Sequence, residues 1–541
     1  MQGKYRLHTG LIISPILCLL VLLSGCKGKE QNEQSAFEHS NNVFAEVENW
    51  YVNPQWSERA SASGGEAIAQ QSTAVWLYDY LHVNPDFDYF SVDEVLFQQY
   101  ASTTPPITLE KHLKEAEKQG NALITLVLQN LPLKRCYATL NRNAVQLGVS
   151  FSNATTEQNL AIINTYQHEY IDPIAQLLGQ FPHVPVAIVI EPQSWPHLLV
   201  SKDANSDCDY ASNDSLAGYT NGIRYAINQL SQYPNAHLYL DIGGSNHLGW
   251  DAELSLSTLF MHGMLTGFDE LQSQALDIIE NDPSAVDRLP EGVDQAFVEP
   301  PPLTDNGSMP PGYDKIDGFI SNVSDYVPLT EPYLDESNGE FHLASFYNGN
   351  PHLGELSYTK RWLESLQTLA PEGTQDLGVL IDTSRNGWGM AQQQLLDAPA
   401  ADTMEQLTTH RIDQREHRKN WCNQASGIGE RPKASPQNKP WIDAYVWAKP
   451  PGESDGVAST DNSDQSLPLM LKLPLRGQEE MCDPNGENRF AEQDDVTAQI
   501  GIQTGAMNNS PWFDEWFQAH FETLIENAWP SLCEGVNDNC N

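Results

Sequence analysis

Val186-Ala187-Ile188-Val189-Ile190-Glu191-Pro192-Gln193-Ser194-Trp195 opens as an unbroken apolar run and closes in a polar cluster. A short continuous apolar run of this kind reads as a strand buried on both faces, as in a parallel sheet. Six further runs of the same character occupy 74–77, 122–128, 238–240, 318–320, 378–381 and 444–447. Helix-like stretches lie between them at 108–119, 157–178, 218–230 and 358–369. Alternation of strand and helix predicts an α/β fold, a parallel barrel of about seven strands with helices outside. In such barrels chemistry gathers at the strand C-terminal ends, where Gln129, Glu191 to Gln193, Asp241, Asp382 and Asp455 fall.

Three longer motifs follow in order. They are Ile381-Asp382-Thr383-Ser384-Arg385-Asn386-Gly387-Trp388-Gly389, Asn420-Trp421-Cys422-Asn423-Gln424, and Trp447-Ala448-Lys449-Pro450-Pro451-Gly452-Glu453-Ser454-Asp455-Gly456. With Glu191-Pro192-Gln193-Ser194, they resemble glycoside hydrolase family 6, the inverting cellulases, and most of all its bacterial exocellulase branch. Weaker matches are Glu169 to Ile174, Gly318 to Val323 and Met481 to Pro484. The resemblance covers the chain from about residue 42 to about residue 532. It implies a distorted barrel with fewer than eight complete strands and a cleft or tunnel at the strand C-terminal ends.

Inverting glycosidases need a protonated carboxyl at the leaving oxygen and an opposing group that activates water. By the resemblance, the proton donor is an aspartate where this chain has Gln193. The aspartate that keeps the donor's pKa high is replaced by Arg135, and a tyrosine near the start of that motif by Gln129. A carboxamide cannot supply the proton, and a cation at Arg135 would hold a restored acid ionised. Asp241 and Asp455 match surviving family aspartates, Asp455 as a candidate for the base or water-handling role. Glu191, Asp203, Asp207 and Asp209 are the candidates for a relocated acid, Glu191 reading better as a structural hydrogen-bonding group. Lys449, Glu453, Arg385 and Asn322 match positions that hydrogen-bond sugar hydroxyls.

Flat indoles cover the apolar faces of pyranose rings. Of thirteen tryptophans, Trp76, Trp421 and Trp250 match family sugar platforms, whereas Trp441 and Trp447 read as core or supporting residues. His247 stands where the family has another platform tryptophan, and Gly244 where it has a histidine. The expected ligand is therefore a β-1,4-glucan chain or cello-oligosaccharide, bound with ordinary hydrolysis impaired. The alternative is an active divergent cellobiohydrolase or related β-glucanase using a relocated acid.

Lys4 and Arg6, an apolar run to Leu23 and the sequence Leu23-Ser24-Gly25-Cys26 read as a secretory signal (1–25) ending in a lipobox. Cys26 then becomes a lipidated N-terminus followed by a flexible tether (26–41) and one large domain (42–541). Neither Lys27 nor Gly28 is the aspartate that retains lipoproteins at the inner membrane, which points to the outer membrane of a Gram-negative bacterium, with display at the cell surface as one arrangement. A formal charge of −43, spread along the chain, argues against nucleic-acid or anionic-membrane partners, leaving the lipid on Cys26 as the membrane contact. Among the eight cysteines, Cys18 falls in the signal, and six remain beyond Cys26, which suggests three disulfides in an exported protein. The resemblance implies Cys136 with Cys208 and Cys422 with Cys482, leaving Cys533 with Cys540. No spacing resembles a zinc site, so neither metal nor cofactor is expected. Segments 282–315 and, less strongly, 398–409 read as surface insertions. Segment 449–501 reads as a long loop that roofs the cleft in the family.

Overall fold

The computed structural model describes residues 42–86, 106–131, 163–194, 216–267, 309–458, 478–488 and 501–532. The signal and tether with Cys26, Arg135, Asp203, Asp207, Asp209, Cys136, Cys208, Cys533, Cys540 and most of 282–315 lie outside them.

One curled sheet organises the chain. Its strands are β1 (Val75–Leu77), β2 (Ile124–Leu128), β3 (Val186–Ile190), β4 (Ala236–Asp241), β5 (Gly318–Ser321), β6 (Gly378–Asp382), β7 (Lys433–Ala434) and β8 (Ile442–Val446). They run in the order β1-β2-β3-β4-β5-β6-β8-β7. All neighbours are parallel except β7, which adds two antiparallel residues to β8. The seven parallel strands coincide with the seven apolar runs. At its ends the sheet curls back: Ala74 N donates to Trp447 O at 3.0 Å, a single bond where a closed barrel would have a ladder.

Period-two alternation explains why these runs are apolar throughout. Leu126, Ile188, Leu238, Phe319 and Val379 face outward into a core shared with Leu113, Ile174, Ile227 and Trp362 of the surrounding helices. Val127, Ala187, Val189, Tyr239, Ile320, Leu380 and Ala444 fill the interior of the curl. Each fully buried Leu, Ile or Val contributes about 1.5–3 kcal/mol by leaving water, so both faces are held. The helix Leu109–Lys118 shows the complementary rule, burying Leu109, His112, Leu113 and Ala116 on one face and leaving its lysines outside.

The floor of the curl is tight. A Cβ on Gly378 would lie 2.1 Å from Asp443 Oδ1, so β6 approaches β8 only with glycine there. Segment 398–409 is more ordered than an insertion reading implies: Met404–His410 is helical and Leu407 and Ala401 pack with Leu334, Phe341 and Tyr347. Its apolar residues are too few to give a helical period, which is why the sequence reads as loop.

Candidate active site

Strand β3 delivers Glu191 and Gln193 to the rim in left-handed backbone, φ +47° and +64°. Such conformations are costly for residues with side chains and persist where the surroundings enforce them. The enforcement is visible. Glu191 is fully buried, and its two carboxylate oxygens accept from Asn130 N at 2.8 and 3.1 Å. Asp241, the last residue of β4, accepts Gln193 N at 2.6 Å on one oxygen and Gly243 N at 2.9 Å on the other. The Gln193 carboxamide donates through Nε2 to Val323 O at 3.1 Å, beyond β5. Asp241 thus holds the backbone that presents position 193, and Glu191 joins the ends of β2 and β3 behind it. Gln129 is buried at the end of β2, bonded by its backbone N to Leu77 O at 3.1 Å.

The second half of the rim is built on Asp382 at the end of β6. Its oxygens accept four backbone amides: Ser384 N at 3.0 Å, Ala448 N at 3.2 Å, Ser324 N at 3.1 Å and Lys449 N at 3.0 Å. Burial pushes this carboxyl up, and the amides and Arg385 only partly offset that. The loops after β5, β6 and β8 therefore meet on one side chain. Asn322, φ +65°, also serves the frame, donating to Asp382 O at 2.9 Å and Val327 O at 3.2 Å and accepting from Val327 N at 3.3 Å. Its amide lies within the loop framework, not extended towards a sugar hydroxyl as the resemblance implies.

Asp455 and Arg385 form the charged centre. Arg385 Nη1 lies 2.7 and 2.8 Å from the two Asp455 oxygens, with side-chain exposures of 0% and 3%. Asp455 Oδ2 also accepts from Tyr326 Oη at 2.8 Å and Asn423 N at 2.8 Å. Burial would raise the Asp455 pKa, but Arg385 and Lys449 outweigh it and hold the group below the usual carboxylate range. An anion so fully hydrogen-bonded is a fixed charge that can steady a cationic sugar transition state or orient water, and a weak acceptor of protons. Arg385 lies 4.4 Å over the Tyr326 ring, and its Nε and Nη2 are buried without hydrogen-bond partners among the described residues. Buried His520, with Nε2 3.0 Å from Gln424 O, is pushed down to about 4 by burial and by Arg385, so it stays neutral beside this pair.

Lys449 is fully buried, its Nζ 3.8 Å from Glu453 Oε2 and 4.0 Å from Asp514 Oδ1. Burial and the neighbouring Asp514 raise the Glu453 pKa well above its ordinary value, with Lys449 opposing. Trp76 donates Nε1 to Ala448 O at 2.6 Å and is only 5% exposed, so its indole is covered rather than an open platform. Trp421 and Trp250 are part-exposed. Trp421 packs beside the Cys422–Cys482 disulfide (Cα–Cα 5.1 Å), the one expected pair among the described residues. Trp250 donates to Asn348 O at 2.8 Å and has Lys419 Nζ 5.1 Å over its ring. His247 is buried, 3.8 Å from Asp325, and burial with the nearby Lys419 and Arg415 drives its pKa well down. It supports the Trp250 loop as a neutral side chain. Trp447 is core, edge-on to Trp56 at 5.9 Å.

The family profile for glycosyl hydrolases family 6 matches residues 39–270 and 305–467. The chain belongs to that family. Exoglucanase A of Cellulomonas fimi is 29% identical over 509 residues, covering 89% of this chain and 48% of that protein; the chain thus spans about half of this relative's length. The catalytic domain of Cellulomonas fimi Cel6B superposes with a TM-score of 0.66 at 27% identity, covering 91% of this chain and 96% of that one. The Humicola insolens cellobiohydrolase II (Cel6A) in complex with glucose and cellotetraose shares the fold at 19% identity, TM-score 0.54, covering 91% of this chain and 100% of that one. Family membership accounts for the order of the motifs and for the frame around Asp382 and Asp455.

Sequence reasoning assigned no role to Tyr326, Asn423, Phe513 or Asp514. Tyr326 and Asn423 sit inside quoted or adjacent motifs and could have been found by asking which donors a buried Asp455 requires. Phe513 and Asp514 arrive from a distant segment with no pattern to announce them.

Proposed function

We propose that this family 6 protein binds β-1,4-glucan chains and that its ordinary inverting hydrolysis is impaired. The reading rests on Gln193, which by the family resemblance stands where a proton-donating aspartate is expected; its backbone is held by Asp241 and its carboxamide is tied to Val323 O. A carboxamide has donors but no proton that dissociates near neutral pH. The part-exposed indoles of Trp421 and Trp250 supply sugar platforms, and the cellotetraose held by the Humicola insolens relative supports the ligand class.

The protein is further proposed to be an outer-membrane lipoprotein tethered through Cys26. Asn42, where the tether ends, donates to Asp443 O at 2.8 Å near the start of β8, and Trp50 pairs with Leu123 just before β2. Both contacts are on the floor of the curl, where the strands begin, so the tether joins the domain at the end opposite the rim.

A second reading, a divergent glucanase with a relocated acid, is favoured by Glu453, a buried carboxyl beside Lys449 whose pKa burial and Asp514 raise above its ordinary value. The two separate when the full chain in detergent is incubated with swollen cellulose: steady release of soluble sugar marks the glucanase, and retention without release marks the binder. Trp421→Ala should weaken retention about tenfold while Gln193→Ala leaves it unchanged. Retention that survives loss of Trp421 would count against the binding reading.

A further inference from the structure

A wall of distant sequence covers Trp76, whereas Trp250 is part-exposed. Residues 511–517 are laced to 452–454 by Asp514 N to Ser454 O at 3.0 Å, Ser454 N to Glu515 O at 2.9 Å, and Phe517 N to Gly452 O at 2.7 Å. Ser454 Oγ adds a bond to Pro511 O at 2.8 Å. This lacing sets the Phe513 ring edge-on at 6.0 Å from Trp76 and 5.4 Å from Tyr78. Lys449 Nζ sits 5.1 Å over Trp76 and 4.3 Å over Phe513, boxed by two rings and by the Glu453 and Asp514 carboxyls. Asp514 holds its place in left-handed backbone, φ +69°.

We propose that Phe513 and Asp514 are specificity-determining residues that fill the sugar subsite formed by Trp76, Lys449 and Glu453. The cleft then admits a glucan chain end from the Trp421 and Trp250 side and stops it. This inference rests on the glucan-binding reading and deepens it. A pyranose stacks on an indole only where the ring face is open, and Trp76 and Phe513 are each 5% exposed. Hydroxyl recognition by Lys449 and Glu453 requires approach to groups that now face Asp514. The box also leaves a mark: Lys449 Nζ is buried without a hydrogen-bond acceptor among the described residues, held by cation–π contact and charge instead. Opening the wall would let a sugar hydroxyl supply that acceptor.

Calorimetric titration of the full chain in detergent with cellotriose to cellohexaose tests this. Wild-type affinity should stop rising before the longest ligand, and Phe513→Ala should raise affinity for cellohexaose about tenfold. Asp514→Asn, gentler on packing, should give a smaller gain in the same direction. Adding Trp76→Ala to Phe513→Ala should cancel the gain. The inference alone is overturned if wild type binds and the gain of Phe513→Ala survives the added Trp76→Ala. It is equally overturned if both wall variants, folded by their melting transitions, bind as wild type does. If wild type and every variant ignore all four ligands, the glucan reading falls and the inference with it.

Discussion

At the ends of β3 and β4 the scaffold is complete and, in the function proposed above, the reactive group is missing; at the ends of β5, β6 and β8 scaffold and charge both survive. Glu191 and Asp241 still fix the strained turn that presents position 193, yet the side chain presented is Gln193. Across the rim, Asp455 keeps Arg385, Tyr326 and Asn423 around it. The difference teaches that frame and chemistry are separable: carboxylates that hold backbone amides are needed for the fold, while the one that would hold a transferable proton is not.

That contrast can be broken most strongly by restoring the acid. Gln193→Asp with Arg135→Asp should raise release of soluble sugar from cellohexaose by about 10²–10⁴, the ordinary value of a general acid. Gln193→Asp alone should give little, because Arg135 would keep the new carboxyl ionised; equal turnover from single and double variants would remove Arg135 from the explanation. Next in size, Arg385→Met should destabilise the fold by about 3–5 kcal/mol, since it leaves a buried anion without its cation. Denaturant melts read this directly, and a loss below about 1 kcal/mol would mean the pair is better hydrated than its burial implies. Asp241→Ala should cost about 2 kcal/mol by orphaning Gln193 N and Gly243 N, with the damage confined to the rim.

A further effect concerns the floor. Burial, with Asp317 nearby, pushes the Asp443 carboxyl up from 3.8 to about 8. Because the folded value lies above the unfolded one, its contribution is fullest below about pH 4 and is lost as pH rises towards 8. Asp443→Asn should therefore gain on wild type between pH 5 and pH 8 in thermal melts. A constant difference across that range would show that Asp443 does not titrate there.

Much of this was legible in the sequence. The seven parallel strands announced themselves because both faces of the curl are buried, so each reads as a continuous apolar run. Asp241, Asp382 and Asp455 were legible from the motifs they end or close. What was not legible depended on contacts between distant segments. Asn322 turns inward because Asp382 O and Val327 O lie within its reach, which no local pattern reveals. Trp76 reads as a platform until Phe513, more than four hundred residues later, is brought against it. Segment 398–409 forms a helix on a satellite core too small to leave a periodic signature.

The central claim is that Gln193 leaves a glucan-binding cleft without its proton donor. Its most direct test is to incubate the full chain with cellohexaose, following the anomeric configuration of any product by proton NMR and measuring binding in the same sample. Saturable binding without product is the predicted result. Steady release of product with inverted configuration would contradict it and direct attention to another carboxyl, Glu453 first.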